Sequence, residues 1–133
     1  MKTQANAEEL LYHPRAWLYV WAVEGAPAMF LLRRAAHCAG YALVGQSWDT
    51  PRRLVKRYPG RKALMRAVRR GLVDDVFIIR LSQLSEKREQ LRRILLLLQR
   101  KGVRIHTTET DLRQDLRRLR LDNILAGEAH THA

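Results

Sequence analysis

At 133 residues the chain has room for one domain with a single sizeable core, and a hydrophobic content of 47% excludes a disordered polymer. The formal charge of +12, from 25 Lys and Arg against 13 Asp and Glu, favours polyanionic partners, nucleic acid first and anionic membrane surfaces second; a merely solvated basic surface is the plain alternative. Cys38 is the single cysteine, so an intramolecular disulfide is excluded; with no apolar leader and no stretch of membrane-spanning length, a cytoplasmic protein is expected.

Residues 1–15 read as an N-terminal arm closed by Pro14. Trp17 to Val23 is aromatic and β-branched, which predicts a strand. Glu24-Gly25-Ala26-Pro27 is a turn in which Pro27 can start a helix, and that helix should stop at Gly40. Cys38 falls in its Ala-rich part, which predicts a buried small side chain rather than a nucleophile. Tyr41 to Gly45 is a second strand, and Gln46 to Tyr58 reads as a polar, Arg-rich loop. From Pro59 a helix carries Leu64, Ala67 and Val68 inward, with Arg61, Lys62, Arg66, Arg69 and Arg70 largely outward, and ends at Gly71.

Asp74 and Asp75 open a third strand, Val76 to Ile79, whose apolar run suits burial on both faces. After the turn Arg80 to Glu86, the residues Leu91, Ile94, Leu95 and Leu98 recur at the spacing of a buried helix stripe. Gly102 stops that helix behind Arg100 and Lys101, and Val103 to Ile105 is a fourth strand. A last helix, about 110–125, is capped by the run Thr108 to Asp111 and faces inward with Leu112, Leu116 and Leu119; residues 127–133 read as a flexible tail. The alternation predicts an α/β domain over residues 16–126, with a mainly parallel central sheet flanked by helices and followed by a C-terminal helix.

Leu96 and Leu97 lie off the stripe of the long helix, and Leu121, Ile124 and Leu125 lie off the face of the last one. Apolar residues on a second side mark either a subunit contact or ordinary core packing, and in so small a domain self-association or a partner helix is the preferred expectation.

Searches for chemistry return little. There is no Gly-x-Gly-x-x-Gly and no Walker-type loop, so no nucleotide cofactor is expected. His13, His37, His106, His130 and His132 are scattered, and His130 with His132 lacks Cys or carboxylate company at ligand spacing, so no metal is expected. Nothing implies a small-molecule substrate. Adjacent Asp74 and Asp75 should point to opposite faces and cannot share one site. Ser82 and Ser85 stand where a strand gives way to a helix, a common place for chemistry in α/β sheets. Neither has the surroundings of a nucleophile elbow, and Ser85 before Glu86, Lys87 and Arg88 reads as a helix N-cap.

Several stretches together resemble the catalytic domain of the serine recombinases, the resolvase/invertase family. The family's Tyr-x-Arg-x-Ser strand corresponds to Tyr19 through Val23, and its Gly-Tyr-x-Val to Gly40-Tyr41-Ala42-Leu43-Val44. Its Arg-Pro-Gly helix start corresponds to Tyr58-Pro59-Gly60, its acidic strand start to Asp74-Asp75, and its Gly-Val-x-Ile strand to Gly102 through Ile105. Its Leu-Asp-Arg-Leu-Ser-Arg motif falls on Leu81 through Glu86. The resemblance implies a resolvase-like fold with flavodoxin-like layering. It also implies that the family's site residues are replaced: the nucleophilic serine by Val23, and the arginine two before it by Trp21. The arginine before Pro-Gly becomes Tyr58, and the Asp and two arginines of the third motif become Ser82, Gln83 and Glu86. Val23 cannot attack phosphorus and Glu86 would repel a phosphate, so no strand-cleaving enzyme is expected.

Family members continue the last helix into a DNA-reading region, and the short remainder after Thr110 gives no expectation of one. Phosphate contacts without base reading are expected instead from Arg52, Arg53, Lys56, Arg57, Arg61, Lys62, Arg66, Arg69 and Arg70, and from Arg113, Arg117, Arg118 and Arg120. The first reading is thus a non-catalytic resolvase-like protein that homodimerises or pairs with a recombinase or other DNA-bound partner. The alternatives are a non-specific nucleic-acid-binding module, and a strand-exchange enzyme with its nucleophile relocated to Ser82 or Ser85.

Overall fold

In the computed structural model, residues 13–23, 25–51 and 57–124 are described. The described residues alternate strand and helix: β1 (Arg15–Trp21), α1 (Gly25–Cys38), β2 (Ala42–Asp49), α2 (Pro59–Arg69), β3 (Asp75–Ile78), α3 (Arg88–Arg100), β4 (Arg104–Thr107) and α4 (Leu112–Arg118), with a 3-10 turn at Leu81–Gln83. The four strands form one parallel sheet in the order β2-β1-β3-β4. This is the predicted α/β architecture, and the order follows the first four strands of flavodoxin-like layering.

Both faces of β1 are covered because its side chains alternate between two cores. Ala16, Leu18 and Val20 pack with Met29, Leu32 and Ala36 of α1. Tyr19, with Val76, Ile78 and Ile105, packs under α2, α3 and α4 through Leu64, Val68, Leu95, Leu98 and Leu116. The predicted stripe Leu91, Ile94, Leu95 and Leu98 is buried throughout.

Among the described residues, all four helices end in the same hydrogen-bond pattern. In α2, Gly71 N–H donates to Val68 O (3.0 Å) and Leu72 N–H to Ala67 O (3.0 Å); in α3, Gly102 donates to Gln99 O (3.0 Å) and Val103 to Leu98 O (2.8 Å). This is the Schellman closure, which places one residue in the left-handed region. Glycine takes that place at Gly40, Gly71 and Gly102, but in α4 it is Arg120, with φ 58°. Arg120 N–H donates to Arg117 O (3.0 Å), and Leu121 N–H to Leu116 O (2.8 Å). A left-handed non-glycine residue costs about 1–2 kcal/mol. Arg120→Gly is therefore expected to stabilise the fold by about 1 kcal/mol, after allowing for glycine's greater freedom in the unfolded chain. A urea titration with a raised midpoint and unchanged slope checks it.

Several expectations need correction. The first strand begins two residues earlier than predicted, so Arg15 belongs to the sheet and not to the arm. Its backbone N–H and guanidinium both bond Asp74, at 2.8 and 3.0 Å, and Val23 is left outside the strand, 77% exposed. The second strand runs through Asp49 where a polar loop from Gln46 was expected, because its polar residues Ser47 and Asp49 are buried and bonded. The last helix ends at Arg118 rather than near residue 125, since the turn at Arg120 folds Leu121 back into the core. Cys38 is exposed, on the outward side of the last turn of α1, and not buried.

The proposed oligomer contacts change with it. Leu121 is 2% exposed and inside the core, and Leu97 and Ile124 are half-buried against the same core; Leu96 is also half-buried. Arg88, at the start of α3, locks this corner by donating to Leu119 O (2.9 Å) and Arg120 O (3.3 Å). Leu125, the arm up to residue 12 and the tail 127–133 lie outside the described residues.

Asp74 and Asp75 do face opposite ways. Asp75 is fully buried: its Oδ2 accepts from Tyr41 Oη (2.9 Å) and lies 2.6 Å from His106 Nε2, while Oδ1 accepts from Arg104 Nη2 (2.8 Å). Burial by itself would raise the Asp75 pKa, but the hydrogen bonds from His106, Arg104 and Tyr41 outweigh it and hold the carboxyl below its ordinary range. Asp74 is also lowered, chiefly by its hydrogen bonds from Arg15. Both folded values lie below the unfolded value of about 4, so this stabilisation is present above that pH and is lost below it, as pH falls through the folded values. Tyr41 works at the other end. Burial first, then Asp75, push it up to about 12, so its contribution is complete below about 10 and is lost as pH rises through the folded value. Urea midpoints are expected to fall at both limits, and Asp75→Asn should flatten the acid limb.

Candidate functional site

The strand order reverses at β1: its first crossover leads to β2 on one side, and the next leads to β3 on the other. Crevices at the carboxyl ends of strands flanking such a point are where open α/β sheets bind ligands. Trp21 ends β1, and the 3-10 turn Leu81–Gln83 follows β3, so both reach this crevice. A cleft of about 230 Å³ lies here, lined by Trp21, Tyr58, Ser82, Gln83 and Glu86, together with Arg61, Ser85, Lys87 and Gln90. Five of the six positions singled out by the family resemblance thus converge. The sixth, Val23, lies instead against a separate cleft on the α1 face.

The polar groups of the cleft are largely engaged with one another. Gln83 Oε1 accepts from the Trp21 backbone N–H at 2.8 Å, tying the end of β1 to the turn after β3. The Arg61 guanidinium stacks over the Tyr58 ring, 4.1 Å from its centroid, and Nη1 donates to Leu84 O at 2.9 Å. Arg61 is therefore half-buried and folded inward, where an outward side chain was expected. Tyr58 holds a left-handed backbone, φ 45°, as the residue that turns the chain into α2. Ser85 Oγ accepts from Lys87 N–H (3.1 Å) and reaches Gln90 Oε1 (2.8 Å). The N-cap of α3 is Lys87 and not Ser85, so the serine braces the helix from two residues upstream.

A nucleophilic serine needs a base within hydrogen-bond reach. Among the described residues no histidine lines this cleft: His106 is on Asp75 and His13 is on Gly40 O. The Trp21 indole N–H is buried without a hydrogen-bond partner among the described residues.

Beneath the cleft lies Asp49, a residue the sequence did not single out. It is 4% exposed. Its Oδ1 accepts from Gly60 N–H (2.7 Å), and its Oδ2 accepts from Arg61 N–H (2.8 Å) and from Tyr19 Oη (2.6 Å). Gly60 is needed because a Cβ there would lie 2.3 Å from Trp48 O. Burial and the Asp49 carboxylate raise the Tyr19 phenol well above its ordinary pKa, so it stays a donor. The free N–H groups at the start of α2 would otherwise attract an anion, and an internal carboxylate already occupies them.

The predicted phosphate-contact residues divide. Lys62, Arg66 and Arg69 are exposed along α2, with Arg57 just before it and Arg70 just after it. Arg113, Arg117, Arg118 and Arg120 are exposed on and after α4, and Arg118 also bonds Asp115 (2.6 Å). Arg52, Arg53 and Lys56 lie outside the described residues. No group of three or more potential metal ligands occurs among the described residues, and none of their helices is long and apolar enough to cross a membrane.

No protein-family model matches the chain, and no curated protein does. Solved structures do match by shape. The C-terminal catalytic domain of ISC1926 TnpA, an IS607-like serine recombinase, superposes with a TM-score of 0.64 at 20% identity, covering 84% of this chain and 79% of that one. A resolvase family site-specific recombinase from Streptococcus pneumoniae gives 0.63 at 15% identity, covering 90% and 89%. The N-terminal catalytic domain of TP901-1 integrase gives 0.62 at 14% identity, covering 89% and 96%. The fold is resolvase-like.

Proposed function

We propose that this chain is a resolvase-like protein without strand-cleaving chemistry, acting by association with itself, a recombinase or another DNA-bound protein. The observation that carries the reading is the composition of the cleft at the switch point. It gathers Trp21, Tyr58, Ser82, Gln83 and Glu86 around one stacked arginine, Arg61, with Asp49 closing the helix end behind it. Phosphoryl transfer needs a nucleophile with a base, and cations free to meet developing negative charge. Here the serine hydroxyl of Ser85 is bonded within the α3 entry, Arg61 is held on the Tyr58 ring and Leu84 O, and the lining cation Lys87 is offset by its neighbour Glu86.

The test is incubation of the full chain with supercoiled plasmid, followed by denaturing gels. Neither nicked product nor a covalent protein–DNA adduct is expected. An adduct that disappears on Ser82→Ala or Ser85→Ala would replace this reading with a relocated nucleophile. Mass in solution, with and without DNA, tests association directly.

A second reading, a nucleic-acid-binding module, is favoured by one observation: the exposed cations Lys62, Arg66 and Arg69 lie on α2, with Arg70 directly after it. Binding through such a helix would weaken steeply with salt and show little dependence on sequence. Mobility shifts at two salt concentrations separate it from the first.

A further inference from the structure

On the α1 face of the sheet, a second and larger cleft of about 540 Å³ opens between α1 and β2. Buried Met29 lies at its base, Val23, Phe30 and Trp48 form its walls, and Arg33 and Gln46 supply its polar end. Phe30 is 60% exposed and Trp48 is 57% exposed. Leu43 continues the surface: it and Trp48 pair with Ala16 and Val20 of β1, both of which face α1. Among the described residues, every exposed large apolar side chain except Leu72 lies on α1, on β2 or in the link before α1. An apolar concentration of this kind on an otherwise basic chain marks an interaction site.

Its charge indicates the partner. Arg15, Arg80, Arg92, Arg104 and Arg118 each meet a carboxylate, whereas the Arg33 bond runs to the neutral amide oxygen of Gln46 (2.7 Å). Arg34 is exposed on the same turn of α1. Among the described residues of α1 and β2 the one carboxylate is Asp49, buried on the opposite face of the sheet. A second copy of this chain would bring Arg33 and Arg34 against their own equivalents with no described acid between them. Duplex DNA offers only thymine methyl groups and no bulky apolar side chain to fill the cleft, and the cations of α2 lie on the other face of the sheet.

We infer that this cleft docks an acidic amphipathic segment of another protein, with a bulky apolar side chain between Phe30 and Trp48 and a neighbouring carboxylate on Arg33. The inference rests on the proposed mode of action by association and adds where contact is made and with what chemistry. The probe is a labelled synthetic peptide with one Phe, two Leu and the remaining positions mostly Glu. Two controls carry Ser in place of the apolar residues, or Lys in place of Glu.

Fluorescence anisotropy with the full chain should show binding of the first peptide only. Trp48→Ala should weaken it about tenfold, as expected of a central aromatic anchor. Arg33→Glu should abolish it and confer binding of the Lys peptide, a reversal that loss of structure would not produce. Both side chains are exposed, and thermal melts check that the variants fold. Equal binding of the Ser control, no binding of the acidic peptide, or indifference to both substitutions overturns the proposal. So does DNA binding or dimerisation that Trp48→Ala removes. The plasmid assay and mass measurements judge the non-catalytic, associating role separately, so either idea can fail alone.

Discussion

Asp49→Ala is expected to cost the fold about 3–5 kcal/mol, and the loss should appear as a lowered thermal midpoint and a lowered urea midpoint. The carboxylate accepts from Gly60 N–H, Arg61 N–H and Tyr19 Oη, and it is nearly inaccessible to solvent. Truncation leaves these donors without an acceptor, and each unsatisfied buried group costs about 1–3 kcal/mol, with some recovered by relaxation or entering water. The expected loss is a large share of the roughly 5–15 kcal/mol that holds a domain together. Asp49→Asn should lie between, because an amide oxygen still accepts from α2 but without the strength of a charged acceptor. A near-neutral result for Asp49→Ala would mean that the start of α2 finds other partners at little cost.

Leu121→Ala should cost about 2–5 kcal/mol of monomer stability, the range for removing a buried leucine from a core that closes the gap only in part. Leu96→Ala should cost under about 1 kcal/mol, being half-buried and off the packed stripe. The pair separates two roles for the leucines off the helix stripes. If Leu121 served an oligomer contact, its truncation would lower association while leaving the isolated chain as stable as before. Its position after Arg120, with Leu121 N–H on Leu116 O and the side chain 2% exposed, predicts the reverse. Denaturation at several protein concentrations distinguishes them, because only an assembling protein shows a concentration-dependent midpoint.

The parts of the fold that were legible from sequence are those whose signal is local. Gly71 and Gly102 marked the ends of α2 and α3 because glycine is the cheapest residue for a left-handed closure. The leucine stripe of α3 was readable from its spacing alone. The end of α4 was not, because Arg120 performs the glycine's role and leaves no sequence trace of the turn. The end of β2 was hidden because Ser47 and Asp49 look like loop residues until their partners, Trp17 and Gly60 for one and Tyr19, Gly60 and Arg61 for the other, are in place. Their spacing of two, both on one face of the strand, was the available signal.

The candidate site divides the same way. Ser82, Gln83 and Glu86 could be placed at the end of a strand, and family resemblance added Trp21 and Tyr58. Nothing in the order of residues said that Arg61 would turn back onto Tyr58. The network of Tyr41, Asp75, Arg104 and His106 joins residues up to 65 positions apart, a distance no local pattern spans.

The place of β1 in the middle of the sheet also bears on how the molecule assembles. No pair of neighbouring strands forms without it except β3 with β4, and its two partners arrive at different times along the chain. Ala16 meets Leu43 after one helical crossover, but meets Asp75 only once α1, β2 and α2 have been laid down. Closing the longer loop adds only a modest entropic cost, yet contacts of high sequence separation slow the approach to the native state. Until β3 docks, one edge of β1 stands open, with the apolar side chains of Leu18, Tyr19 and Val20 beside it. Such an edge can capture another chain at high concentration. Refolding yield, more than equilibrium stability, is where the central strand leaves its mark.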